Sequence, residues 1–247
     1  MRPKRIILIR HGESEGNLDR NTYAVKQDFK LLLTQTGVEQ ATEAGLKLKE
    51  LVKDEKVVFY VSPLWRTRMT FEHIAKALDH DQFRWKEDPR LREQEWGHFR
   101  DLKANILIDD ERNKFGTFYY RIKDGESCAD VYDRLSDFLH SLFRDFEKPG
   151  MEENLVLITH GMTLRIFLMR WFKWTVEEFE TLRNPRNCEM VIMELDNSLT
   201  RYKVITPLSR RRLNREDVYQ WNIISPGAHK ADSSHDGSEP GYSNEFI

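Results

Sequence analysis

Two stretches of the 247-residue chain repeat one arrangement: Ile6-Ile7-Leu8-Ile9-Arg10-His11-Gly12 and Leu155-Val156-Leu157-Ile158-Thr159-His160-Gly161. Each is an apolar run, one polar residue, a histidine and a glycine. Short continuous apolar runs of this kind read as buried strands of a parallel sheet. In open α/β sheets ligands bind beyond the carboxyl ends of the strands, where both histidines then fall. If the two strands are neighbours, the two imidazoles face one pocket. Glycine after each histidine permits a sharp turn and a close approach of backbone to ligand. His73, His80, His98, His140, His229 and His235 have no such context and read as ordinary surface or core residues.

Arg10 sets a planar cationic fork beside His11, suited to phosphate oxygens. An adjacent cation also lowers an imidazole's pKa and favours the neutral, nucleophilic ring. A neutral imidazole nitrogen can attack phosphorus and hold the phosphoryl group as a phosphoramidate, splitting one hard step into two. The transition state carries charge on its equatorial oxygens, which preorganised cationic and N–H donors stabilise. Arg66, in Ser62-Pro63-Leu64-Trp65-Arg66 after a second apolar run, and the amide of Asn17 are further donors. The leaving group needs a proton, and Glu93 or Glu95 can supply it if burial raises its pKa against the nearby cations.

These side chains lie far apart in the sequence, so the fold must gather them. A helix is expected from Thr36-Gly37 to about Lys53, with Val38, Ala41, Leu48 and Leu51 on one face. Residues 57–61 form a strand ended by Ser62-Pro63, and Pro63 suits the first turn of a helix running to about Leu78. Phe83-Arg84-Trp85 reads as a short strand, and residues 100–124 as an inserted loop with helical pieces. Val131, Leu135, Phe138, Leu142 and Phe146 describe one helical stripe between Asp130 and Glu147. A helix from Gly161 to about Trp171 follows the second histidine, then strands at 190–195 and 202–205. The alternation implies βαβ units: an α/β fold with a mainly parallel sheet and helices on both faces. Past Thr206 the pattern fades into a basic cluster, Arg210-Arg211-Arg212 with Arg215, and a Pro-, Gly-, Ser- and Asp-rich tail from Pro226 that is expected to be disordered. The division expected is a catalytic domain over 1–205 and a C-terminal extension over 206–247.

Composition narrows the partners. Hydrophobic residues make up 39% of the chain, enough for a sizeable core, and charged residues 32%, with a net charge of −2. Near-neutrality argues against a polycation that grips nucleic acid through its phosphates. Cys128 and Cys188 are too few for a disulfide framework or a four-ligand zinc site, and suit a reducing compartment. The apolar run behind the basic N-terminus ends at Arg10, too short for a signal h-region of roughly 7–15 residues or a membrane helix of about 20. A cytoplasmic protein with no membrane and no nucleic-acid partner is expected. Its oligomeric state is not legible.

Five motifs in order carry a family resemblance. Arg10-His11-Gly12-Glu13-Ser14-x-x-Asn17, Ser62-x-Leu64-x-Arg66-x-x-x-Thr70, Leu91-x-Glu93-x-x-x-Gly97, Gly125-Glu126-Ser127 and Thr159-His160-Gly161 resemble the histidine phosphatase superfamily in its phosphoglycerate-mutase-like branch, over roughly residues 5–205. The resemblance implies a three-layer αβα sandwich. It implies that His11 is the phosphorylated nucleophile, that Arg10, Asn17, Arg66 and His160 bind the phosphoryl group, and that Glu93 rather than Glu95 is the proton donor. Neither a metal nor a cofactor is implied. The substrate implied is a phosphomonoester, on a small molecule or a protein.

Mutases of this branch hold a second acidic group with paired arginines and a proline-rich loop. Here the corresponding stretch is Phe115-Gly116-Thr117-Phe118-Tyr119-Tyr120-Arg121. It is similar to that of plant and fungal members regarded as phosphatases, so hydrolysis is favoured over mutase-type phosphoryl transfer. Arg100, Lys103, Arg112, Lys114, Arg121 and Lys123 are available for a second anion, but a solvated charged loop is the simpler reading.

Rival chemistries fare worse. Cys128-x5-Arg134 has the spacing of cysteine-dependent phosphatases, but Ala129-Asp130-Val131-Tyr132-Asp133 between them is acidic and helical, not a phosphate-cradling loop. There is no Gly-x-x-x-x-Gly-Lys-Ser/Thr loop, no Gly-x-Ser-x-Gly elbow and no His-x-x-x-His pair. Trp171-Phe172-Lys173-Trp174 reads as core and helix end. A non-catalytic phosphate-binding scaffold using the Arg210–Arg215 cluster is the non-enzyme alternative, and the full set of His11, Glu93 and His160 argues against it.

Overall fold

Strands β1 (Arg5–Arg10), β2 (Val57–Val61) and β4 (Asn154–Thr159) have apolar runs without alternation because both faces of the sheet are covered. Successive side chains point to opposite faces. Ile6, Leu8, Val58, Tyr60, Leu155 and Leu157 pack on one side, and Ile7, Ile9, Val57, Phe59, Val61, Val156 and Ile158 on the other. The computed structural model describes residues 2–97, 110–196 and 201–211.

Among the described residues, β3 (Phe83–Glu87), β5 (Met190–Asp196) and β6 (Arg201–Val204) complete a six-stranded sheet in the order β3-β2-β4-β1-β5-β6. β3, β2, β4 and β1 are mutually parallel; β5 runs antiparallel to β1 and to β6. Short helices α1 (Glu15–Leu18) and α2 (Thr22–Val25) follow β1, and α3 (Gln35–Val52) and α4 (Trp65–Ala75) cover one face. After α5 (residues 110–115), α6 (Cys128–Glu147) and α7 (Gly161–Phe172) cover the other, with α8 (Val176–Thr181) beside α7. This is the expected α/β fold with helices on both sides of a mostly parallel sheet. No described helix is long and apolar enough to cross a membrane.

Local signals set most boundaries. The five-residue stripe of α6 is buried throughout, and a Ser127–Asp130 capping box starts the helix at Cys128, three residues before Val131 opens the stripe. α3 buries Gly37, Ala41, Ala44, Gly45, Leu48 and Val52, so its inner face is turned from the expected one; Val38 and Leu51 sit at its edge. Small residues face inward because α4 lies close: a Cβ on Gly45 would come within 2.8 Å of the Ile74 carbonyl. Pro63 is not in the first turn of α4, which starts after Leu64; the Thr67 hydroxyl ties that turn by donating to the carbonyls of Ser62 and Leu64.

Residues 206–211 stay attached to the α8 region. The Arg183 N–H donates to the Ser209 carbonyl and the Arg211 N–H to the Thr181 carbonyl. Arg210 donates to the Thr181 hydroxyl at 2.8 Å and covers the Trp174 ring at 5.0 Å. Trp171 stacks on Phe167, and Trp174 on Phe172. Arg212, Arg215 and the expected disordered tail lie outside the described residues, as do Arg100 and Lys103.

Candidate active site

The parallel register pairs Arg10 with Thr159, so His11 and His160 leave the sheet side by side. The His11 N–H donates to the Thr159 carbonyl at 3.0 Å, and the ring centroids stand 5.1 Å apart at 61°. His11 is 4% exposed and His160 wholly buried. His11 Nδ1 lies 2.7 Å from the Gly12 carbonyl oxygen. A carbonyl only accepts, so Nδ1 carries the proton and the neutral ring keeps its lone pair on Nε2. Burial, then the Arg66 and Arg10 charges, hold the His11 pKa well below its usual value, against the Gly12 hydrogen bond. Burial and the Arg66 charge do the same to His160, whose Nε2 lies 2.7 Å from the Ser62 hydroxyl and whose Nδ1 is buried without a partner among the described residues.

The glycines are also required by packing. A Cβ on Gly12 would fall 2.5 Å from the Gly37 carbonyl oxygen, and one on Gly37 would fall 2.0 Å from that of Glu13. The loop after β1 therefore lies flush on the start of α3. Gly161 meets the Asn184 side chain instead.

Two arginines flank the rings. Arg10 donates from Nη1 to the Pro185 carbonyl at 2.8 Å, and among the described residues its buried Nε has no partner. Burial lowers its pKa, which the Glu93 charge opposes, so that carboxylate is close by. Arg66, 2% exposed, is gripped by Asp28: Nη1 donates to the carboxylate at 3.0 Å and to the Asp28 carbonyl at 2.9 Å. Asn17 is exposed at the rim. Its Oδ1 accepts from the Ser14 N–H and hydroxyl and from Asn187, leaving its amide N–H groups without a partner among the described residues.

Glu93 and Glu95 separate clearly. Glu93 is half-buried at the N-terminus of α7, accepting from the N–H groups of Gln94, Met162 and Thr163 and from the Thr163 hydroxyl. Carboxylates belong at such ends, where N–H groups lack helical partners. Glu95 is exposed. The Gly125-Glu126-Ser127 motif clasps this acid loop. The Glu126 carboxylate accepts from Arg92, Arg134 and the Glu95 N–H, and its carbonyl accepts from Gln94. A Cβ on Gly125 would strike the Glu95 carbonyl at 2.4 Å, and one on Gly97, where φ is +68°, would strike the Lys123 carbonyl at 2.2 Å.

A profile of the histidine phosphatase superfamily, branch 1, matches residues 6–206. The chain belongs to this superfamily. It is similar to phosphoglycerate mutase-like protein AT74H of Arabidopsis thaliana, 45% identical over 214 residues that span 80% of this chain and 76% of that protein. It also resembles the broad-range acid phosphatase DET1 of Saccharomyces cerevisiae, 30% identical over 85% of this chain and 90% of that protein. In fold it matches a mycobacterial glucosyl-3-phosphoglycerate phosphatase, with a TM-score of 0.65, 21% identity, and coverage of 83% of this chain and 99% of the other. Histidine phosphatases are enzymes, and this chain is one of them, of the phosphoglycerate-mutase-like kind.

Two residues of the site gave no signal in the sequence: Asp28 holds Arg66, and Asn187 donates to both the His11 carbonyl and Asn17. Thr70, which closes the second motif, accepts the Gly12 N–H at 3.0 Å. The cysteine rival has no loop to work with. Cys128 is buried in the first turn of α6 with its thiol pushed up to about 11 by burial, while Arg134 faces Glu126. Lys114 and Arg121 are exposed and paired with Asp110 and Asp130, as the solvated-loop reading expects. Arg112 departs from that reading, being 8% exposed.

Proposed function

We propose that the chain hydrolyses phosphomonoesters through a phosphohistidine on His11. The observation that carries this reading is the His11 ring itself: proton fixed on Nδ1 by Gly12, Nε2 available, and a second imidazole 5.1 Å away between two arginines. Arg10, Arg66, His160 and, from the rim, Asn17 bind the phosphoryl oxygens. A bound dianion offsets the arginine charges that otherwise depress both rings. The Nε2 lone pair forms the N–P bond as the P–O bond to the leaving group breaks, and protonated Glu93 gives its proton to the departing oxygen. Water then attacks phosphorus, its proton passes to the Glu93 carboxylate, the N–P bond breaks, and inorganic phosphate leaves.

The contacts to α7 hold the Glu93 carboxyl group in place for this double role. The name of the yeast relative, a broad-range acid phosphatase, supports hydrolysis. The two cysteines, both free, support the cytoplasm as the compartment. The test is transfer of radiolabelled phosphate from substrate to wild-type protein and to His11→Ala, alongside phosphate release with and without bisphosphoglycerate. Label on wild type alone and bisphosphoglycerate-independent release are expected. Equal turnover by His11→Ala would overturn the nucleophile, and isomerised product that depends on bisphosphoglycerate would overturn hydrolysis.

A further inference from the structure

A cleft of about 570 Å³ lies between α3 and residues 183–189, and Ser209 also lines it. It is separate from the catalytic pocket, since Arg10, His11, Arg66, Glu93 and His160 take no part in its walls. Its volume is that of a small-molecule site, for which about 300–1,000 Å³ is usual.

The lining selects the ligand. Both of its acids are engaged: Glu43 pairs with Lys47 at 2.7 Å, and Glu189 accepts the Arg186 N–H at 2.6 Å. Arg183 and Arg186 also line the cleft, and among the described residues their guanidinium groups have no partner. Gln40 accepts from the Glu13 N–H through Oε1, and Asn184 accepts from Arg165 through Oδ1. The amide N–H groups of both are thereby left to donate. Burial pushes the Cys188 thiol up to about 12, so it carries no charge. The two free guanidinium forks suit a carboxylate or a phosphate. The spare oxygens of Glu43 and Glu189 can accept from hydroxyl groups. No aromatic ring lines the cleft to stack on a base.

The same segment holds the catalytic residues. The Pro185 carbonyl accepts from Arg10, and the Cys188 N–H donates to the Arg10 carbonyl at 3.0 Å. Asn187 donates to the His11 carbonyl and to Asn17. An anion held by Arg183 and Arg186 offsets their like charges and ties the segment to α3. That steadies Arg10, His11 and Asn17 around the phosphoryl group.

We propose that this cleft binds a small hydroxylated anion, a sugar acid or a sugar phosphate, and that its occupation tightens phosphoryl binding between the histidines. The coupling rests on the phosphatase reading for what the histidines bind; the cleft itself does not.

The probe is Cys188, which lines the cleft and is partly exposed, whereas Cys128 is fully buried. Its alkylation by N-ethylmaleimide is followed by mass spectrometry during titration with gluconate or with the methylene phosphonate analogue of glucose 6-phosphate. Each titration is run with and without saturating propylphosphonate. At least one of the two compounds is expected to protect Cys188. Arg183→Gln and Arg186→Gln change exposed side chains. Without ligand both variants should alkylate at the wild-type rate. Protection should then need about tenfold more ligand or beyond, as for hydrogen bonds to charged groups. Propylphosphonate alone should leave Cys188 reactive, yet lower the half-protecting concentration about fivefold or more, because coupling between sites is reciprocal. Failure of both compounds to protect overturns the site, and equal protection in the arginine variants overturns its ligand chemistry. A half-protecting concentration that ignores propylphosphonate overturns the coupling. Protection by propylphosphonate alone overturns the preference for a hydroxylated ligand. None of these readings needs turnover, so they stand apart from the fate of a phosphohistidine on His11.

Discussion

Folding keeps two protons off the protein that the unfolded chain takes up. His11 and His160 are buried with pKa values well below 6.5, from burial first and the arginine charges next. Between pH 6.5 and the folded pKa values, the unfolded state binds more protons, so stability rises with pH and is lost on acidification. One pH unit below 6.5, each ring forfeits about 1.4 kcal/mol, or about 3 kcal/mol for the pair. For a domain of this size that lowers the melting temperature by roughly 6–12 °C between pH 7.5 and 5.5. Glu55 does not mask the effect. Glu55, whose burial is outweighed by hydrogen bonds from Lys4, Asn154 and Arg5, sits at about 2, so its contribution fades only below about pH 4.5. The assay is chemical denaturation across this range at fixed ionic strength in phosphate-free buffer, on wild type and the His11→Gln/His160→Gln double variant. Wild type should lose stability with a slope near two protons, and the double variant should lose most of that slope. The same slope in both would refute the burial argument. Added inorganic phosphate should flatten the wild-type slope, because a dianion reverses the field that the arginines impose on the rings.

Three further outcomes follow from the contacts. Glu93→Gln should slow turnover of an alkyl phosphate by about a hundredfold or more and that of p-nitrophenyl phosphate much less, since only the poor leaving group needs a proton; equal slowing would remove Glu93 as the acid. Asp28→Ala leaves Arg66 buried without its carboxylate and should cost about 1–3 kcal/mol, a buried-pair penalty discounted because Asp28 is half-exposed, measured by denaturation and recovered with saturating phosphate. Cys128→Ser should keep turnover within a few-fold of wild type in a steady-state assay, because the thiol at about 11 is protonated and faces Gln94 rather than the histidines; abolished turnover in a folded variant would reinstate the cysteine.

The fold was legible where one physical signal dominates. Continuous apolar runs marked β1, β2 and β4 because both sheet faces are buried, and the period of α6 marked its stripe. The inner face of α3 was misjudged because its spacing against α4 is set by Gly45 and Ala44, and hydrophobic patterning undervalues small residues. The histidines were legible because a strand ending in histidine and glycine occurs twice, and the register of two adjacent strands does the rest. Glu93 over Glu95 was not legible from spacing. The choice depends on which carboxylate reaches the N–H groups of Met162 and Thr163, a contact across about seventy residues.

Counter-charges escape sequence reading more completely than the charges they balance. Arg66 announces itself by following a strand, but Asp28, its partner, sits on a one-turn segment with no periodicity. Arg134 and Arg112 both lie outside the five family motifs. The structure gives the first Glu126 and gives the second only a sulfur and an indole ring. A missing partner cannot be read along a chain, because it is a property of a volume. The acid loop, α5, α6 and α7 together enclose two guanidinium groups, those of Arg112 and Arg165, with no carboxylate among the described residues, in a fold that gives Arg66 and Arg134 one each and Arg90 two.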